Sequence, residues 1–194
     1  LWIVDAANGW QVVDSYELDE DEYGLTTQFM QLHDFGDDPG ADVSPEDLVL
    51  ENFIALGTGI VDKNGEDVVS KGRTVLFRLN RPDGTNSRTQ VAELSLVYEK
   101  IINHGGVTSL TCLRSEGKNR LIIGAGADIN VEQWGGGKLT QGGFFRATMQ
   151  IVSIRHFKSF WILSDAYDSL YFLVWRESDK SLTLLAKDYD PIPV

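Results

Sequence analysis

Cysteine is almost absent: Cys112 is the single one in 194 residues. It cannot close an internal disulfide and lies in an apolar run, so we read it as a small core residue of a chain kept in a reducing compartment. Long hydrophobic runs are missing too, and none approaches the roughly 18–20 residues that cross a bilayer. The opening residues hold no basic stretch followed by an apolar one, so no secretory signal is expected. No Asn-x-Ser/Thr acceptor occurs, which agrees with an intracellular location. Positive charge is scarce. Lys and Arg number 17 against 29 Asp and Glu, a net charge of −12. Nucleic-acid affinity rests largely on neutralising phosphates, so RNA is expected to bind weakly or only through other proteins.

Catalytic and cofactor motifs fail one by one. Leu121-Ile122-Ile123-Gly124-Ala125-Gly126 has the start of a dinucleotide turn, but its third glycine is missing. Asp128 to Trp134 then reads as strand, leaving no helix N-terminus for a pyrophosphate. Gly135-Gly136-Gly137-Lys138-Leu139-Thr140 has leucine where a phosphate loop needs Ser or Thr for magnesium, so it reads as a hairpin turn with a solvated lysine. His33, His104 and His156 have no second ligand at metal spacing, and Cys112 has no neighbouring partner. The acidic loop from His33 to Asp47 lacks the ordered carboxylates of a calcium loop, and we place it on the rim of the fold. Asp165 and Asp168 flank a turn, where short carboxylates cap backbone amides rather than act as acid and base. The five tryptophans lie on or beside strands, as core packing requires. The expected site list is therefore empty: no catalytic residue, no cofactor, no metal, no enzyme activity.

What the chain does contain is strands. Phe160 to Leu163 is an unbroken apolar run, and Leu170 to Trp175 is apolar on both faces, so that strand belongs inside a stack of sheets. A polar turn and Leu182 to Ala186 complete a meander. The same order recurs at Arg120–Gly124, Asp128–Trp134 and Leu139–Phe145, and earlier at Phe53–Gly57, Gly72–Leu79 and Ala92–Lys100. Leading strands at 25–32, 107–113 and 147–156 make each unit four-stranded. The chain opens inside what reads as the third strand of a blade: Leu1–Asp5, a turn at Ala7-Asn8-Gly9, then Trp10–Leu18. The spacing of the later units matches the roughly 40–45 residues of a propeller blade. We therefore expect an all-β partial β-propeller of about three four-stranded blades plus a leading hairpin. Its boundaries are a hairpin over 1–18 and blades over 22–101, 105–145 and 147–189. Loops are expected at Val61–Lys71, turning at Asn64-Gly65, and at Arg81–Gln90, turning at Pro82-Asp83-Gly84, with a blade crossing at Asn103–Gly106.

These residues resemble a known family, the large triple-propeller proteins that include the large subunit of cleavage and polyadenylation specificity factor. Related to it are the large subunit of the damaged-DNA-binding complex and a propeller subunit of the splicing machinery. The likeness rests on Gly57-Thr58-Gly59 with Gly72-Arg73-Thr74-Val75-Leu76-Phe77, on Tyr98-Glu99-Lys100 with Gly105 to Cys112, on Ser164-Asp165 with Ser169 to Trp175, and on Leu182 to Val194. Departures are Gly106 for a usual proline, Ser164 for a glycine, Asp168 for a basic residue and Lys187 for an arginine. The resemblance covers essentially the whole chain and implies a C-terminal propeller. It further implies a non-catalytic scaffold in the nuclear pre-mRNA cleavage and polyadenylation machinery, holding other protein subunits and touching RNA indirectly, with no membrane role. The other family branches imply a ubiquitin-ligase adaptor or a splicing scaffold instead. With only three whole blades, the exposed blade faces are expected to be covered by more of a longer chain or by a second copy.

Overall fold

In the computed structural model, the described residues are 1–6, 9–37, 43–62, 69–80, 93–157, 160–167 and 170–188. They form fourteen strands and one 3-10 turn, Pro45–Asp47, with no α-helix among them. Strands β1 (Trp2–Asp5) and β2 (Gln11–Ser15) make a hairpin. Three antiparallel meanders follow. The first is β3 (Glu22–Asp34), β4 (Val49–Val61), β5 (Val69–Asn80) and β6 (Glu93–Ile102). The second is β7 (Val107–Ser115), β8 (Lys118–Ala125), β9 (Asp128–Gly135) and β10 (Lys138–Arg146). The third is β11 (Ile151–Phe157), β12 (Phe160–Asp165), β13 (Leu170–Arg176) and β14 (Ser181–Lys187). This is the all-β, partial-propeller arrangement that the repeats announce.

The core lies between the sheets. Leu1, Tyr16 and Leu18 around the hairpin pack on Leu56, Val75 and Phe77 of the first meander. Met30, Leu32, Phe53 and Leu76 of that meander meet Leu110, Leu121, Ile123 and Trp134 of the second. Ile122, Ile129 and Val131 of the second meet Ile154, Trp161, Leu163, Leu173 and Trp175 of the third. Strand β8 shows why a doubly apolar run is needed. Leu121 and Ile123 point into one core and their neighbour Ile122 into the next, because successive side chains of a strand leave opposite faces.

Glycine enters where chains nearly touch. A Cβ on Gly72 would lie 2.2 Å from the carbonyl oxygen of Thr58, and one on Gly126, whose φ is +56°, would lie 2.1 Å from that of His104. The glycine runs singled out as false motifs are turns. Gly136 and Gly137, at φ of 57° and 76°, join β9 to β10, and β9 follows Gly126 directly with no helix.

Several expectations need correction. Residues 69–71, expected in a loop, belong to β5, because that strand pairs with β4 out to Val61↔Val69. His33 and Asp34, expected in the acidic loop, end β3, and Phe35 beyond them is buried. Phe35 donates its amide to the Trp134 carbonyl oxygen at 2.9 Å, and Asp34 pairs in parallel with Trp134, so first and second meanders are stitched into one sheet there. Strand β13 is covered on one face only: Tyr171, Leu173 and Trp175 are buried, whereas Leu170 and Phe172 are exposed. Trp2 and Trp10 are exposed, unlike Trp134, Trp161 and Trp175, so the core reading of tryptophan holds for three of them. The turns expected at Ala7-Asn8, at Asn64-Gly65 and at Pro82-Asp83-Gly84 lie outside the described residues.

Candidate interaction surfaces

The charged residues that carry the sequence motifs meet inside the fold. Thr58, from the Gly57-Thr58-Gly59 run, donates its hydroxyl to Glu22 at 2.5 Å, and Arg73 donates Nε to the same Oε1 at 2.7 Å. Arg73 also reaches Glu99 at 3.1 Å, so one guanidinium ties β3, β5 and β6 together, and β4 joins them through Thr58, which also accepts the Arg73 backbone amide at 3.1 Å. Burial works to raise the Glu22 pKa, but the hydrogen bonds from Arg73, Thr58 and the Asp19 amide outweigh it and hold the carboxyl below its usual range. Arg73 is correspondingly held charged, chiefly by its hydrogen bond to Glu22.

A second set of contacts joins one meander to the next. Lys100 of β6 donates to Glu132 of β9 at 2.6 Å. Glu132 is buried, which pushes its pKa up against the opposing pull of Lys100. Trp134 donates its indole N–H to Glu51 at 2.7 Å, and Arg78 holds the same carboxylate. His33 accepts the Asn119 amide proton on Nδ1 at 2.9 Å, so β3 and β8 are pinned together, and burial followed by the nearby Arg120 charge lowers the His33 pKa. Arg120 sits where all three meanders converge. It is buried, pairs with both oxygens of Glu177, and lies over the rings of Phe35 at 5.1 Å and Trp175 at 5.7 Å. Trp175 donates its indole N–H to the same Glu177 at 2.8 Å.

The residues that invited a catalytic reading are scattered. His33 is locked in the joint just described. His104 lies at the crossing into β7, 3.3 Å from Asp128, a carboxylate that Arg146 already grips at 2.6 Å. His156 tilts on the ring of Trp161. Cys112 is half-buried with its thiol pKa pushed up by burial, Arg114 opposing. Asp165 is fully buried, accepts the Tyr171 hydroxyl at 2.7 Å and caps the Tyr167 amide at 3.1 Å. Asp168 lies outside the described residues. Among the described residues, no group of three or more His, Cys, Asp or Glu could hold a metal ion. No helix among them is long and apolar enough to cross a membrane. Sequence reasoning passed over Glu22, Arg120, Glu132 and Glu177. Arg120 and Glu132 could have been found by their place on strands that are otherwise largely apolar, whereas Glu22 and Glu177 stand in the charged runs Glu17–Glu22 and Arg176–Lys180, which hide them.

Apolar surface is exposed at both ends of the stack, and also along the strands between them, at Phe29, Ile101 and Phe144. At one end, Val4 pairs with Val12 and, with Trp2 two residues away, forms the outward side of the hairpin. Because two strands cover a four-stranded meander, a cleft of about 360 Å³ is left open beside Phe29, Asn52, Ile54 and Leu79. At the other end, Phe160, Ile162, Leu170, Phe172 and Val174 share the outer face of the third meander.

The chain is matched over residues 1–194 by the family model described as CPSF A subunit region. It is 32% identical over 180 residues to the probable cleavage and polyadenylation specificity factor subunit 1 of Oryza sativa subsp. japonica, a match covering 93% of this chain and 11% of that protein. It is 35% identical over 143 residues to cleavage and polyadenylation specificity factor subunit 1 of Arabidopsis thaliana, covering 73% and 9%. Protein cft1 of Aspergillus fumigatus is 27% identical over 190 residues, covering 92% and 12%. The chain thus spans about a tenth of the length of the curated relatives it matches.

Proposed function

This chain belongs to the CPSF A subunit region family, and on that premise we propose that it is a non-catalytic propeller segment of the nuclear pre-mRNA cleavage and polyadenylation machinery, holding other protein subunits in place. Each meander is one blade, within the boundaries 22–101, 105–145 and 147–189, and the hairpin over 1–18 is the outer half of a preceding blade. The blade faces left bare are covered by further blades of a longer chain or by another copy.

One observation carries this reading. The motif residues Thr58, Arg73, Tyr98, Glu99 and Lys100 are spent on joints within and between sheets: Tyr98 packs edge-on against Trp134, and the rest pair as described. Chemistry at a site needs groups that converge on a substrate, whereas these converge on one another. That is what a rigid platform for partners requires. The acidic balance supports contact with protein rather than direct contact with RNA.

Affinity purification from cells expressing the tagged protein tests the reading. Co-recovery of an endonuclease and a poly(A) polymerase is expected. Cullin-type partners in their place would move the protein to the ubiquitin-ligase branch and overturn the proposal. RNA binding by the purified chain is expected to be no tighter than non-specific binders reach, roughly 10⁻⁴–10⁻⁶ M at physiological salt.

A further inference from the structure

Both described ends of the connection between β3 and β4 rest on the second meander rather than on their own. At the first end, Asp34 accepts the Gly36 amide at 2.8 Å and turns the chain, with Gly36 at a φ of +70°. Phe35 is buried there, its amide bonded to the Trp134 carbonyl oxygen and its ring 5.1 Å from the Arg120 guanidinium. At the second end Pro45 packs on Gly117, where a Cβ would lie 3.1 Å from the Pro45 Cβ.

The second meander has glycine at each of these contacts. A Cβ on Gly135 would lie 2.3 Å from the Gly36 carbonyl oxygen, and one on Gly136 would lie 2.2 Å from Asp37 Oδ1. Gly117 and Gly136 turn the chain at positive φ, which is reason enough for glycine. Gly135 is different. It ends β9 without a left-handed backbone, and the atoms nearest to its missing Cβ all belong to Gly36.

No such arm reaches from the second meander to the third, because β7 passes to β8 through Glu116 and Gly117 alone. At this end of the strands those two meanders meet through side chains, Arg120 with Glu177. Their backbone bonds lie at the other end, beside the chain's own crossing, where Ile151 and Ala147 donate to Gly126 and Ala127 at 2.7 and 2.8 Å. First and second meanders share one hydrogen-bonded sheet, and the third is a sheet of its own.

We propose that the connection between β3 and β4 is a strap, anchored through Phe35–Asp37 and Pro45, that makes the first and second meanders one rigid unit and leaves the joint between second and third as the place where the stack yields. Opening the first joint must break the backbone bond of Phe35 and unbury its ring. Opening the other, at the same end of the strands, separates side chains only. Motion within the stack is thereby confined to one joint.

Native-state hydrogen exchange of the purified protein, read by mass spectrometry at rising low denaturant, tests this. Peptides of β3 to β10 are expected to lose protection in one step, and those of β11 to β14 at lower denaturant. Gly135→Ala presses a methyl group onto the Gly36 carbonyl, and because β8 and β10 hold β9 from both sides, the strap lifts. Peptides spanning 34–37 are then expected to exchange about tenfold faster or more, and β3–β6 to part from β7–β10. Gly142→Ala, whose Cβ meets nothing nearer than 3.6 Å, is expected to behave as the unchanged protein. Pro45→Gly frees the other anchor without adding an atom, and is expected to give the same separation to a smaller degree whether or not the alanine variant folds. Loss of protection by all three meanders in one step in the unchanged protein overturns the proposal. So does unaltered protection at 34–37 in Gly135→Ala, an equal effect of Gly142→Ala, or a Pro45→Gly protein that exchanges as the unchanged one.

Discussion

The second and third meanders are written in the same apolar script and end in different environments. Strand β8 carries Leu121-Ile122-Ile123 and is buried on both faces, one residue after another feeding the core on either side. Strand β13 carries Tyr171-Phe172-Leu173-Val174, no less apolar, yet Phe172 is exposed while Tyr171 and Leu173 are buried. The difference lies in the neighbours. The second meander has a sheet on each side, and the third has one sheet and one free face. Apolar pattern thus specifies what a strand can tolerate, and the stack decides what it receives.

The contrast is broken most severely at Arg120, which joins the two meanders through Glu177. Arg120→Ala strands a carboxylate beneath Trp175 and removes the cation between two rings, and is expected to cost about 3–5 kcal/mol in chemical unfolding. A loss under about 1 kcal/mol would show that the joint is incidental. Next in size is the paired truncation that measures the two environments directly. Ile122→Ala, with both faces of its strand covered, is expected to cost about 2–5 kcal/mol. Phe172→Ala, on the free face, is expected to cost no more than about 0.5 kcal/mol in the monomeric chain. Equal losses would mean that the third meander is covered on both sides in solution.

The smallest effect is that of pH on the joint between first and second meanders. The folded-state pKa of His33 is depressed by burial and by Arg120, so its contribution is fully present above the unfolded value of about 6.5. It is lost as pH falls through the folded value, because the unfolded state then binds the proton more readily. The Glu132 pKa is raised by burial, so its sign is opposite: its contribution is present below the unfolded carboxylate value and fades as pH rises. Melting temperature is expected to fall between pH 7.5 and 5, and His33→Asn is expected to flatten that slope. An unchanged slope in the variant would remove His33 as its origin.

Much of the architecture was legible in the residues. Each of the fourteen strands among the described residues overlaps a run expected to be strand, though Ala147–Gln150 and Tyr16–Leu18 fall outside the strands, and both glycine-rich false motifs turned out to be turns, since strand residues follow where a helix would be needed. The resemblance read from Thr58, Arg73 and Tyr98-Glu99-Lys100 agrees with the family match. The joints themselves were not legible. Glu22 reads as part of an acidic turn, and nothing local says that Arg73, fifty-one positions later, will cover it. His33 reads as loop for the same reason, since its partner Asn119 arrives from the next meander, eighty-six positions on.

The sequence by itself determined period and pairing, because alternation of side chains and turn chemistry act over a few residues and need no distant partner. Only the tertiary structure decided which apolar face is covered and which charge is satisfied. Those outcomes depend on groups brought together across the stack, and desolvation rewards or penalises a residue only once its surroundings are in place. Trp161 and Trp2 are both tryptophans in apolar strands, yet one lies between two sheets and the other faces outward at the end of the stack.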